Sequence, residues 1–197
     1  MSTTLQDGTG TKNKVKIDSE NRLYVKSITE SEFDHATGKG EAFNINTEFI
    51  TVTGSTETPL WYLKNNDDRD LVLAAWFIGT DASSGSATRL SLMRVYSNPT
   101  SGTIISSGTN VTAVNRLIGS ANEFNGDAKK GGDGFTFGGN STTPVLYQTQ
   151  GTSQRNFGTV QITLKKGSSV VVTYQQYGLT SQEVYTGFQV YLSDTNL

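Results

Sequence analysis

The only histidine of the chain, His35, limits the chemistry that can be written for it. A Ser-His-Asp relay would have to run through His35, which sits between Phe33 and Ala36, where a packing or surface role is expected. A multi-histidine metal centre is excluded. The absence of cysteine removes thiolate zinc sites, disulfides and cysteine nucleophiles. Asn66, Asp68 and Asp70 have the first, third and fifth spacing of a calcium loop. Leu71 then stands where the sharp turn needs glycine, and Phe77 where the bidentate glutamate belongs, so an EF-hand is excluded. A looser calcium site in that turn stays open. The stretch KKGGDGFTFGG (129–139) is glycine-rich like a phosphate cradle, but no Lys-Ser or Lys-Thr follows a suitable glycine, as a P-loop requires. Asn110 and Asn140 open formal glycosylation sequons, which matter only in a secreted chain. Nothing in the order of the residues pairs the scattered carboxylates for glycoside hydrolysis. Tyr174, Tyr177, Tyr185 and Tyr191 could line a sugar-binding face, or serve as core rim or interface on alternating strands. No cofactor is implied, and the chain reads as a non-enzyme.

The one concentration of charge lies near the start. In residues 13–28 Val15 and Ile17 alternate with Lys14 and Lys16, and Leu23 and Val25 alternate with Arg22, Tyr24 and Lys26. The intervening DSEN is a turn, so the segment is predicted to be a β-hairpin with one apolar face. Lys12, Lys14, Lys16, Arg22 and Lys26 outnumber Asp18 and Glu20 on its polar face. They either block edge pairing or dock on an acidic protein surface, and they are the candidate partner-binding residues. The polar residues 1–11 before them read as an arm.

The elements that would position these groups are mostly strands. Residues 71–78 are eight apolar residues in a row, of strand length and rich in branched and aromatic side chains. A strand with no polar face must be covered on both sides, which places it at a sheet centre. Residues 59–64 are read as its hairpin partner, joined through the turn NNDDRD. A short helix is predicted near residues 29–37, with capping-box spacing between Thr29 and Glu32 and a stop at Gly38. Further strands are predicted over 42–53, 89–96, 144–148, 159–164, 170–174 and the segment containing Val184, Phe188, Val190 and Leu192. The segment 110–119 is a weaker candidate, and residues 122–140, with six glycines, read as a long loop. About ten strands spaced by turn signals predict an all-β chain, an antiparallel β-sandwich of jelly-roll type. Residues 1–41 would form an N-terminal arm, hairpin and helix, and residues 42–197 the sandwich.

Composition agrees with this class. Threonine (28), serine (20), asparagine (14) and glycine (21) dominate the 197 residues, and only 17% are charged. Such residues favour strands and turns over helices. Net charge is −2 with a pI near 5.4, so no global attraction to nucleic acid or an anionic membrane is expected. No apolar run is long enough to span a membrane. MSTTLQDGTG lacks the features of a secretory signal, so synthesis and retention in a cytoplasm are expected.

Three segments together carry a resemblance: VKIDSENRLYVKSITESEFDHATGKGEAFNINT (15–47), LWYLKNNDDRDLVL (60–73) and ITLKKGSS (162–169). They resemble small virion-associated structural proteins of tailed bacteriophages. The shared features are an N-R-L-V-like hairpin, the pattern H-A-T-x-K-G-x-A-F-N at residues 35–44, and a Y-L-K-N-N strand at residues 62–66. The resemblance brings no catalytic residue. It implies a structural role on the particle, as a capsid decoration or cement protein that binds the major capsid protein or other virion proteins. It also implies a homo-oligomer located on the virion surface. The alternative is a tail or head-fibre module that recognises glycans.

Overall fold

The structure, a computed structural model, describes residues 31–54, 56–80, 90–139, 145–150, 155–157, 162–177 and 181–193. Internal contacts divide the chain into two units, Met1–Ser31 and Glu32–Leu197. The basic hairpin, with Lys12, Lys14, Lys16, Arg22 and Lys26, lies outside the described residues. In chain order the described elements are α1 (Glu32–Lys39), β1 (Ala42–Thr53), β2 (Thr58–Asn65), β3 (Asp70–Thr80), β4 (Leu90–Ser97), α2 (Thr103–Ser107) and β5 (Thr109–Asn110). They continue with β6 (Ala113–Asn115), β7 (Gly126–Lys130), β8 (Val145–Gln150), β9 (Arg155–Phe157), β10 (Ile162–Leu164), β11 (Ser169–Tyr177) and β12 (Ser181–Ser193).

These strands form an antiparallel β-sandwich. The first sheet runs β10-β3-β12-β1-β6, with β9 also on β3, and the second runs β5-β7-β2-β11-β4-β8. Strand β3 holds the interior position that its apolar run predicts, between β12 on one side and β10 and β9 on the other. Alternation along β12 points Val184, Phe188, Val190 and Leu192 into the core, where Val170, Val172 and Tyr174 of β11 meet them from the other sheet. At the centre Trp61 stacks on Phe188 at 4.3 Å and meets Trp76 edge-on at 6.2 Å.

The 59–78 hairpin is corrected. Strand β2 belongs to the second sheet and β3 to the first, so NNDDRD is an arch that carries the chain across the core. Both strands are apolar on both faces, and each finds two neighbours within its own sheet instead of pairing with the other. Asn65 holds the arch: its Nδ2 donates to the carbonyls of Arg69 and Leu164, each at 2.8 Å, and its Oδ1 accepts from the Asp67 amide. The turn at 165–167 is likewise an arch, from β10 in the first sheet to β11 in the second. The two arches bond to each other, Asn65 N to Ser168 O at 3.0 Å and Gly167 N to Asn65 O at 2.7 Å.

Helix α1 starts and stops later than predicted. Gly40, not Gly38, ends it, with φ of 71°. Glu41 N donates to Ala36 O and Gly40 N to Thr37 O, which together make a Schellman motif. Ala36 and Phe33 pack on Ala42, Val72, Ala74 and Tyr191, so the helix covers one end of the outer face of the first sheet.

The glycine-rich 122–140 segment is also corrected: it contains β7, paired with β2 and β5. One buried residue, Ala128, is too weak an alternation to read from sequence. Beyond β7 the glycines permit close backbone approach. A Cβ on Gly131 would lie 2.3 Å from the Pro59 carbonyl oxygen. The amides of Gly131 and Gly132 donate to Leu60 and Pro59, so they are spent on the sheet and cradle no phosphate. Phe135 and Phe137 then pack with Ile104 and Ile105 of α2 over Tyr62 and Val171. Helix α2 and this clasp thus cover part of the outer face of the second sheet.

Candidate functional site

Among the described residues, each sheet has one short helix over part of its outer face, and beside that helix each face carries a distinct group of side chains. On the second sheet the group is polar. Glu57 Oε1 accepts from Tyr96 OH at 2.9 Å and from Thr173 Oγ1, its Oε2 lies 3.4 Å from Arg94 Nη1, and Arg94 Nη1 also donates to Gln175. With these partners the carboxylate fastens the entry of β2 to β4 and β11. Burial, then the hydrogen bond to Glu57, pushes the Tyr96 phenol up to about 12. Tyr191, which donates to Glu32 on α1, is pushed up to about 12 by the same two causes.

These two phenols make alkaline stability testable. Free tyrosine titrates near 10.0, so the protonated hydrogen-bonded form contributes its full stability below that pH. The contribution is lost as pH rises toward the folded value of about 12. The melting temperature is expected to fall across this window, and the double variant Tyr96→Phe, Tyr191→Phe to fall less steeply. Parallel slopes for the two proteins would rule out the phenols as the cause.

On the first sheet the group is aromatic, and two β-bulges create it. In β1 the apolar positions change phase: Phe43 and Ile45 point inward, then Ile50 and Val52. The extra residue sits at Thr47–Glu48, where pairing with β12 shifts between Asn46 and Phe49. Glu48 takes φ of 57°, its amide donating to Asn46 Oδ1 at 2.9 Å. Thr47 Oγ1 donates to Thr186 O and accepts from Thr186 N, which pins the bulge inside the sheet. The consequence is that Phe49 faces solvent and is 65% exposed. Strand β3 makes the same change of phase at Ala74: Leu71 and Leu73 point inward, then Trp76 and Ile78, and Phe77 is displaced to the outer face.

Register then brings the rings together. Gly187 of β12 lies opposite Phe77 of β3, and Tyr185 of β12 lies opposite Phe49 on one side and Gly79 on the other. Each glycine makes room for a ring: a Cβ on Gly79 would meet the Tyr185 ring at 2.1 Å, and one on Gly187 the Phe77 ring at 2.4 Å. Phe49 and Tyr185 are edge-to-face at 5.4 Å, Tyr185 and Phe77 at 6.2 Å. Around this strip stand Asn44, Asn46, Glu48 and, across a groove, Asn110, Thr112 and Lys130. Lys130 Nζ pairs with Glu48 Oε2 at 3.2 Å.

The sequence-derived candidates are dispersed. Tyr185 belongs to the aromatic strip, Tyr174 is buried in the core with its hydroxyl donating to Gln182, Tyr191 is buried beneath α1, and Tyr177 is exposed near the end of β11. His35 is exposed on α1 beside a notch of about 20 Å³, room for about one water. In the NNDDRD arch Asp68 pairs with Lys166 and Asp67 with Arg69. Burial raises the Asp67 carboxyl, but hydrogen bonds from Arg69 outweigh it and hold the group below its usual range. Among the described residues no group of three His, Asp or Glu side chains is placed to hold a metal ion, and no helix is long and apolar enough to cross a membrane. Sequence reasoning missed Phe49 and Phe77; the phase change that frees Phe49 is visible in AFNINTEFITVT, whereas the uniformly apolar run LVLAAWFI hides the one that displaces Phe77.

No protein-family model matches this chain, and a comparison with curated proteins gives no match.

Proposed function

We propose that the chain is a non-enzymatic structural protein of a tailed-bacteriophage virion, a capsid decoration or cement subunit that binds the major capsid protein lattice and assembles as a homo-oligomer. The observation that carries this reading is an apolar tip on the edge of the first sheet. Val114 is 59% exposed, Leu117 40% and Ile118 98%, on and just after edge strand β6. Exposed apolar side chains on an open edge suit a chain that packs against protein neighbours. The segments that resemble virion proteins support it too, because they build the frame. Residues 35–44 form the later part of the helix, its Schellman stop and the start of β1, and residues 62–66 the end of β2 and the start of the arch.

The five cations Lys12, Lys14, Lys16, Arg22 and Lys26, predicted to lie on one hairpin, would supply the attachment. The test is co-sedimentation with undecorated capsids of the encoding phage across a salt series. The full chain is expected to bind at low salt and to release as salt rises, since exposed charges are screened over about 8–10 Å. A chain lacking residues 1–28 is expected to stay folded, because the division of the molecule falls at Ser31, and to lose binding. A chain that fails to sediment with capsids even at low salt would overturn the proposal. Unchanged binding by the truncated chain would move attachment to the 114–118 tip.

A further inference from the structure

We infer that the outer face of the first sheet is a binding platform for neutral oligosaccharides, built on Phe49, Tyr185 and Phe77 with Asn44, Asn46 and Glu48 at its border. This does not rest on the virion assignment. The face of a pyranose ring offers C–H groups to an aromatic surface, while its edge offers hydroxyls that both donate and accept. The platform has both halves. Three rings stand on adjacent strands: Tyr185 and Phe77 are each seated over a glycine, and Phe49 meets Tyr185 edge to face. Beside them, Asn46 Oδ1 is committed to the Glu48 amide and Asn44 Oδ1 to Arg116, which fixes each amide with its NH₂ as the remaining donor. Glu48 is the facing acceptor, its side chain 80% exposed. Two amide donors and a carboxylate acceptor on one border suit the hydroxyls of a sugar.

Size and charge narrow the ligand. The groove bordered by Asn44, Asn46, Glu48, Asn110, Thr112 and Lys130, with Val114 of the apolar tip at its rim, has a volume of about 380 Å³, within the range of small-ligand sites. It shares Asn46 and Glu48 with the depression over Phe49 and Tyr185, so a short chain could run from ring to groove. The Glu48–Lys130 pair cancels the local charge, which favours a neutral ligand over an anionic one. A protein partner fits less well. Even at about 150–250 Å² apiece, three partly covered rings stay below the roughly 800 Å² per partner of a standard interface. The bulge adds a further sign: Glu48 holds a left-handed conformation costly for a non-glycine residue, and it is this bulge that exposes Phe49.

The test is binding of the full chain to maltohexaose, cellohexaose, xylohexaose, mannohexaose and chitohexaose, followed by saturation-transfer NMR and calorimetry. At least one is expected to bind with micromolar to millimolar affinity. Phe49→Ala is expected to weaken that affinity by about tenfold or more, while Ile118→Ala leaves it unchanged. Because Phe49 is mostly exposed, its variant is expected to melt with the parent, which separates loss of the site from loss of the fold. Absence of binding across the panel, or equal affinity in Phe49→Ala, would overturn the inference. So would a Phe49→Ala variant that binds no sugar differently but loses capsid co-sedimentation, because the face would then belong to a protein contact.

Discussion

Replacing Trp61 with alanine is expected to lower the free energy of unfolding by about 3–5 kcal/mol, the range for removing a large aromatic from a packed core. Trp61 is 1% exposed and occupies the centre of the sandwich, stacked on Phe188 of the opposite sheet and edge-on to Trp76. Its removal leaves a hole walled by two aromatic rings on strands pinned at both sides, so little collapse can fill it. Domains of this kind hold only about 5–15 kcal/mol in total, and the variant should sit close to its unfolding transition at room temperature. Trp61→Phe should cost less than half as much. It keeps a ring against Phe188 and removes an indole N–H that is buried with no hydrogen-bond partner among the described residues, a group whose desolvation costs about 1–3 kcal/mol. Urea unfolding followed by far-ultraviolet circular dichroism measures both. Equal losses for the two variants, or a loss under about 1 kcal/mol for alanine, would mean that this ring is not the keystone its packing implies.

The same core shows what was legible in the sequence. Strand existence was readable wherever apolar residues alternate over several positions, as in β12, and the eight-residue run of β3 correctly marked an interior strand. Pairing was not readable. A hairpin and an arch both appear as two apolar runs around a polar turn, and only the partners decide which forms. Those partners are distant: β2 pairs with β11 and β3 with β12, each more than a hundred residues away at some positions. The arch is marked by Asn65, but an asparagine in a turn is expected in either case.

For the candidate face the position is more mixed. Trp76 and Phe77 look equivalent in sequence, adjacent in one apolar run, yet the bulge at Ala74 sends Trp76 inward and Phe77 outward. In β1 the change of phase is a local signal, and it identifies Phe49 as the residue that no longer fits the inward alternation; in the uniformly apolar run of β3 the displacement of Phe77 is set by the pairing with β12. What no local signal gives is the register that sets Tyr185 over Gly79 and Phe77 over Gly187. That placement depends on strands that lie about a hundred residues apart in the chain, and a shift of one residue would put each ring on the opposite face. The basic hairpin shows the reverse case, a clear local pattern that falls outside the described residues.

The second large effect is expected at Asn65, a polar residue that is completely buried. Its side chain closes three hydrogen bonds inside the paired arches: two donated to the carbonyls of Arg69 and Leu164, one accepted from the Asp67 amide. Leucine has nearly the same shape and none of these groups, so Asn65→Leu leaves two carbonyls and an amide without partners. Each buried unpaired group costs about 1–3 kcal/mol, and water can reach the Arg69 and Asp67 ends of the network. A net loss of about 2–4 kcal/mol is therefore expected. Asn65→Asp should lose at least as much, because it keeps the acceptor for Asp67 but turns a carboxylate oxygen toward two carbonyls, leaving a buried charge uncompensated. The ion pair of Lys166 with Asp68, on the same two arches, is the control. Both side chains are largely exposed, and Lys166→Ala should leave stability at the parent level, because an exposed pair gains little over its hydrated charges. Equilibrium unfolding ranks the three variants, and hydrogen exchange at the Gly167 amide reports the arch directly, since that amide donates to the Asn65 carbonyl. If Asn65→Leu leaves both stability and Gly167 protection at the parent level, the arches are held by the sheets they join and not by this side chain.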